Sequence, residues 1–282
     1  MNNSPSRHAL FYALKWIQLI IDTILNLFIG YTTKNGWSRQ HELAQKTYEQ
    51  SAQVAKVHLF NSSWVFFPKC KHFLYSTVSY KHPRYIVEQG GRILIHSVTK
   101  KHCSFTVHDK NNKLYTTLDS QPFSWMHNLT AQELVILPPA SMHRLSKECD
   151  SYIDDPNVPI VFCINTARCG STLMCQIFSQ LPNTLVISEP TVLTWAGQLY
   201  NRGHVSHEEF VQIMRSTLRL MMKCLPNRKV DRIFIKPQWH GNQTISFVKQ
   251  ILPQARFIFL TRMIPSTISS YKRITNSYSR TQ

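Results

Sequence analysis

The residues best placed for chemistry lie in Val161–Leu173, where a short apolar run meets a tight turn and a second apolar segment begins. Ile160 to Ile164 reads as a strand, and Thr166, Ala167, Arg168, Cys169 and Gly170 build the turn. Ser171 and Thr172 then open a segment, Leu173 to Leu181, whose apolar residues recur at helical spacing. Strand, turn and helix N-terminus make an anion site. The first N–H groups of a helix lack intrahelical acceptors, and the helix dipole favours negative charge there. Gly170 permits close backbone approach, Ser171 and Thr172 add hydroxyls, and Arg168 offers a forked cation suited to phosphate or sulfate. The reading is a phosphate cradle, without the Gly-Lys-Ser/Thr of the nucleotide-hydrolase loop, since no Lys precedes Ser171.

Three further apolar runs end in polar groups. Asn183 to Ser188 ends at Glu189-Pro190, and Arg232 to Ile235 ends at Lys236. Arg256 to Thr261 reads as a buried strand and ends at Arg262, with Pro265 in the following turn and Ser270 in the next segment. A Glu at a strand's carboxyl end points to the crevice where open α/β sheets bind ligands, or it caps the helix that comes next. An Arg at a strand end and a Ser one or two turns into the next helix converge on one phosphate.

Together these motifs resemble the sulfotransferase family, over roughly residues 158–273. Arg168 stands at the basic position of the family's phosphosulfate loop, and Ser171 and Thr172 at its hydroxyl pair. Arg168, Cys169, Gly170, Ser171 and Thr172 would then hold the 5′ end of 3′-phosphoadenosine 5′-phosphosulfate. Arg262 and Ser270 have the separation of the pair that binds the 3′-phosphate. Glu189-Pro190 is similar to a Glu-Pro of carbohydrate sulfotransferases, and the resemblance makes Glu189 a candidate base. Lys236 matches the Lys that touches the bridging oxygen. Where cytosolic members have Lys-Thr-His, this chain has Lys236-Pro237-Gln238, so a His base would have to be His240, reached by a different loop. The family also continues through a Gly- and basic-rich closing loop that this sequence lacks. The expectation is therefore either a truncated product or a degenerate relative.

Sulfuryl transfer spreads charge over equatorial oxygens, so the protein supplies positioning and electrostatics, as in phosphoryl transfer. Arg168 and Lys236 would neutralise that charge, and Glu189 or His240 would take the acceptor's proton. No metal is required. Cys163, Cys169 and Cys175 recur every six residues but fall on strand, turn and helix, where they do not converge as ligands. They read as small apolar fillers, with Cys169 nearest solvent. The acceptor class implied by Glu189-Pro190 and Gln238 is carbohydrate. The rivals are a membrane-associated binding protein that keeps the cradle without the chemistry, and a phosphate-loop kinase or hydrolase. Preference for adenosine 3′,5′-bisphosphate over ATP with Mg²⁺ separates the sulfotransferase site from the kinase.

The elements that must position these groups are read from the rest of the chain. The 282 residues fit about two domains. Lys+Arg 32 against Asp+Glu 15 gives a formal charge of +17, which attracts a nucleotide, an acidic glycan or an anionic membrane. Nucleic acid is not expected as a partner, because the basic residues are scattered and carry no binding motif. Seven cysteines without regular spacing give no disulfide framework. Glycosylation triplets occur at Asn61, Asn128 and Asn242.

Residues 1–56 read as an apolar helix, Ala9 to Tyr31, followed by a polar helical stretch from Gln40 to Lys56. The apolar segment is long enough to span a bilayer. Its Lys15, Gln18, Asp22 and Asn26 nevertheless fall within about 80° of arc, an amphipathic stripe. Membrane association is expected, spanning or interfacial. Family resemblance points to the Golgi, while Lys34, Arg39 and Lys46 after the segment favour a cytosolic face for the remainder of the chain. Residues 57–150 read as a small β-rich domain with strands at Arg84–Glu88, Arg92–Val98, Ser104–His108 and Lys113–Leu118. Its His96, His102, His108 and His127 are expected to be solvated strand residues. A polar linker, Asp150–Pro156, precedes residues 157–282. The fold class expected is α/β, with a three-layer parallel sheet of sulfotransferase type behind the β-rich region.

Overall fold

The structure is a computed structural model that describes residues 9, 12–17, 47–60, 70–109, 124–226 and 228–279. Its fold is mixed α/β, with one antiparallel and one parallel sheet. In the first sheet, β1 (Ala52–Phe60), β2 (Phe73–Lys81), β3 (Ile93–Val98), β4 (Cys103–Val107) and β5 (Glu133–Leu137) lie in the order β2-β1-β5-β4-β3. Every pairing is antiparallel.

Two sequence expectations are corrected in this half. The stretch Arg84–Glu88 is not a strand but a short helix, α1 (Tyr85–Glu88). Pro83 presets a helical φ, and the N–H groups of Tyr85, Ile86 and Val87 donate to the carbonyls three residues back. The polar helical stretch also does not reach Lys56. Tyr48–Gln50 is one 3-10 turn, and β1 starts at Ala52, where Ala52, Val54 and Ala55 are buried. The rest of that stretch, and the Lys113–Leu118 strand, lie outside the described residues.

The histidines are corrected as well, because His96, His102, His108 and His127 are all buried. One face of β4 (Cys103, Phe105, Val107) joins the main apolar core, so the alternation of the strand puts Ser104 and Thr106 on the other face. That second face is covered too. The His96 ring stacks on Phe73 at 5.5 Å, His102 Nε2 lies 3.3 Å from Cys70 Sγ, and the His108 and His127 rings meet at 5.7 Å. Ser104 Oγ lies 3.3 Å from His96 Nε2, and Thr106 Oγ1 lies 3.0 Å from His108 Nε2. Burial disfavours imidazolium, which pulls His96 and His108 down to about 3 and His102 and His127 down to about 4.

The second sheet contains the four apolar runs. β6 (Ile160–Asn165), β7 (Thr184–Ser188), β8 (Arg232–Lys236) and β9 (Arg256–Leu260) are parallel in the order β7-β8-β6-β9. Parallel neighbours need crossovers, and the chain supplies helices. The crossovers are α3 (Ser171–Ser179), α4 (Thr191–Asn201), α5 (His207–Met221) and α6 (Ile245–Ile251), with α2 (Pro139–Glu148) before the sheet and α7 (Ile264–Ser279) after it. Cys175 and Phe178 of α3 pack on Cys163 and Phe234 at one sheet face, where the Phe178 and Phe234 rings stack at 4.0 Å. The other face, with Phe162, Ile187 and Ile235, joins the main core beneath α4, α5 and α6.

α4 is buried almost all round, its apolar residues and the two threonines Thr191 and Thr194 alike. It lies against β3 of the first sheet and against residues 239–244 beyond the second. The segment read as a polar linker is also packed. Ser151 Oγ donates to the carbonyl of Met222 at 2.9 Å, and Tyr152 is buried. β9 departs from its buried reading because, among the described residues, it forms an edge of the sheet paired with β6 alone, and Phe259 is 65% exposed. Among the described residues, no helix is long and apolar enough to cross a membrane. Most of Ala9 to Tyr31 lies outside them.

Candidate functional site

Because β6, β8 and β9 are parallel neighbours, their carboxyl ends open on one edge of the sheet. β6 runs straight into the turn 166–170, whose backbone is unusual. Ala167 has φ +59°, Arg168 +51° and Gly170 +93°. Left-handed conformations at non-Gly residues cost of order 1–3 kcal/mol each and persist where the surroundings hold them. Here an Asx turn helps, in which Asn165 Oδ1 accepts the Ala167 N–H at 3.2 Å. At Gly170 no atom crowds the missing Cβ, so its backbone angle is what requires glycine. Gly170 caps α3, whose first turn carries Ser171, buried, and Thr172, half-buried.

The turn meets the end of β9 through two contacts. Arg168 Nε donates to Ser270 Oγ of α7 at 3.0 Å across 102 residues, and Arg262 Nη1 donates to the Arg168 carbonyl at 3.3 Å. The two halves of the sequence-predicted anion site are thus one cluster. Ser270 is buried, while Arg168 and Arg262 reach solvent.

A second cluster stands beside it at the ends of β7 and β8. Lys236 is buried at 2% exposure, and its ammonium pairs with the Glu189 carboxylate. The Glu189 N–H also donates to the Lys236 carbonyl at 2.6 Å, which extends the β7–β8 ladder by one bond. Glu189 has φ +54°, so the candidate base sits on a constrained backbone. Beyond Lys236 the chain is braced. Gln238 is buried and its Oε1 accepts from Thr194 of α4 at 3.0 Å. His240 lies farther along the same loop with its ring against Trp239 at 3.5 Å, and partial burial lowers its pKa below the usual imidazole value.

Cys163 and Cys175 are buried in the cluster under α3, where burial pushes both thiols up to about 11. Cys169 is half-buried in the turn. Among the described residues, no group of three or more His, Cys, Asp or Glu could hold a metal ion. Two glycosylation triplets fall on asparagines that the fold engages: Asn128 is buried, and Asn242 Nδ2 donates to the Asn165 carbonyl at 2.7 Å. Asn165 and Asn242 were not among the expected site residues. The signal available for Asn165 was an Asn that ends a strand immediately before a turn, which is an Asx-turn pattern. For Asn242 the sequence carries no such signal, because its partner lies 77 residues away. The chain matches no known protein family, no curated protein and no solved structure.

Proposed function

We propose that the chain binds 3′-phosphoadenosine 5′-phosphosulfate and transfers its sulfuryl group to a hydroxyl or amine acceptor, with the sheet acting as a three-layer sulfotransferase-type scaffold. The acceptor class proposed is a carbohydrate hydroxyl. The observation that carries the reading is the convergence of Arg168, Arg262 and Ser270 at one spot beside the N-terminus of α3. Such a spot offers forked cations, a hydroxyl and helix N–H groups, a donor set that fits two phosphate groups. The bound cofactor would supply the activated sulfuryl group. Arg168, Cys169, Gly170, Ser171 and Thr172 would hold its 5′ end, Arg262 and Ser270 its 3′-phosphate. Lys236 would counter charge near the transferred group, and Glu189 or His240 would accept the acceptor's proton. A binding protein without the chemistry is the second reading. It is favoured by the ion pair that commits the Glu189 carboxylate to Lys236.

Titration calorimetry with adenosine 3′,5′-bisphosphate tests the site. Saturable binding is expected, at least about tenfold weaker in Arg168→Ala and in Arg262→Ala, the loss of one charge-assisted hydrogen bond or more. A folded wild type that takes up no bisphosphate sinks the reading. Tighter binding of ATP with Mg²⁺ would instead move the chain to the kinase class.

We also propose that the segment from Ala9 to Tyr31 associates with a membrane surface. Residues 12–17 are helical, and Tyr12, Trp16 and Ile17 are 53%, 64% and 51% exposed. Lys15 is turned to the protein, where its Nζ donates to the Phe73 carbonyl at 3.0 Å. An outward aromatic pair four residues apart suits the headgroup region, and the +17 charge favours anionic lipid. Cosedimentation with phosphatidylserine-containing vesicles should therefore fall severalfold in a Tyr12→Ser/Trp16→Ser double variant. Wild-type protein that stays in the supernatant refutes the proposal.

A further inference from the structure

Asn165 is 2% exposed and uses its side-chain amide and its backbone carbonyl in three directions. Its Oδ1 accepts the Ala167 N–H at 3.2 Å and so helps hold the left-handed turn. Its Nδ2 donates to the Pro237 carbonyl at 3.0 Å, one residue beyond Lys236. Its own carbonyl accepts from Asn242 Nδ2 at 2.7 Å. One buried residue therefore joins the end of β6, the phosphate turn and the segment 237–242.

That segment is held by hydrogen bonds of its own. The Gly241 N–H donates to the Gln238 carbonyl at 2.7 Å, and Thr244 Oγ1 donates to the Gly241 carbonyl at 2.8 Å. Gln238 is fixed to Thr194, and a Cβ on Gly241 would stand 3.2 Å from Pro237 Cβ. Trp239 and His240, their rings in contact and tilted by 33°, ride on this braced loop, with Trp239 53% exposed.

We infer that Asn165 is a positioning residue that couples occupancy of the phosphate turn to the geometry of the Trp239–His240 segment, the side from which an acceptor would enter. This rests on the phosphate-site reading. A carboxamide suits the position because it accepts from Ala167 and donates to Pro237 at once, which neither a carboxylate nor an alkyl group does. Coupling of this kind is reciprocal, so nucleotide bound at the turn prepares the acceptor side and acceptor strengthens nucleotide binding by the same factor.

The test uses the full chain, with adenosine 3′,5′-bisphosphate as the probe. Affinity is read by calorimetry, and the Trp239 emission by difference from a Trp239→Phe variant. In the wild type, bisphosphate should change the Trp239 emission. Asn165→Ala should bind more weakly and lose that response. Asn242→Ala, which leaves the Asx turn whole, should keep its affinity within about threefold and give a reduced response, and it covers the case in which Asn165→Ala does not fold. Wild-type binding with silent Trp239, or a full response in both variants, overturns the coupling alone. No binding by the wild type overturns the phosphate-site reading and the coupling with it.

Discussion

Acidification from about pH 7 to about pH 5 should lower the unfolding free energy by several kcal/mol, an unusually steep loss for so mild a change. The cause is the layer of His96, His102, His108 and His127 in the antiparallel sheet, all buried and held near 3 or 4 by desolvation. Linkage gives the sign. An unfolded His takes its proton near about 6.5, while the folded groups do not, so the unfolded state gains protons as pH falls and stability declines. The histidines' contribution is complete above the unfolded value and drains away down to the folded ones. At about pH 5 each group costs up to about 2 kcal/mol, and four together are comparable with the total of about 5–15 kcal/mol that holds a domain folded.

Carboxylates do not confuse this window. Those held low, such as Asp231 beside Asn183 and Lys229, lose their partners' benefit only at more acid pH. Urea unfolding across this range gives the slope directly. A slope of several proton equivalents is expected, reduced by about one in His127→Gln. Less than one proton equivalent in the wild type would mean that the histidines protonate inside the fold.

That layer also shows where local sequence stopped informing the structure. The parallel half was legible because each of its strands is a continuous apolar run closed by a polar residue, the pattern of a strand covered on both faces. The strand ends then pointed to Glu189, Lys236 and Arg262 and the turn after β6 to Arg168, while the pairing of Ser270 with Arg262 came from the family resemblance. In the antiparallel half, Ser104-Phe-Thr-Val-His alternates as a half-solvated strand would. The second face is buried because Cys70 and Phe73, some thirty residues upstream, fold over it. Nothing near His102 announces that. Arg84–Glu88 failed for a related reason: its β-branched residues suit a strand, but Pro83 and the burial of Ile86 set a helical connection between β2 and β3. Asn165 marks the boundary case. Its Asx turn is a local pattern that went unread, whereas its bonds to Pro237 and from Asn242 span more than seventy residues and depend on β6 lying beside β8.

Lys236→Met should destabilise the fold by about 2–4 kcal/mol, and most of that loss should return when Glu189→Gln is added. Lys236 is buried and its partner carboxylate is 18% exposed, so removing the ammonium strands a largely desolvated charge at the end of β7. The residual water at Glu189 is why the figure sits below the roughly 3–5 kcal/mol of a fully buried pair. The double variant carries no such charge and needs only to repack an amide against a thioether. Chemical unfolding of the two single variants and the double closes the cycle, and additive losses would show that the pair contributes no coupling. The same cycle speaks to function when bisphosphate affinity is measured on each member. Glu189 neutralises Lys236 and presents its own charge to any incoming anion. Glu189→Gln should therefore bind bisphosphate more tightly although it folds less stably, and Lys236→Met should bind more weakly. Opposite signs for stability and affinity in Glu189→Gln are what a carboxylate that faces the bound anion and also holds Lys236 predicts. Unchanged affinity in Glu189→Gln would mean that the carboxylate does not face the bound anion.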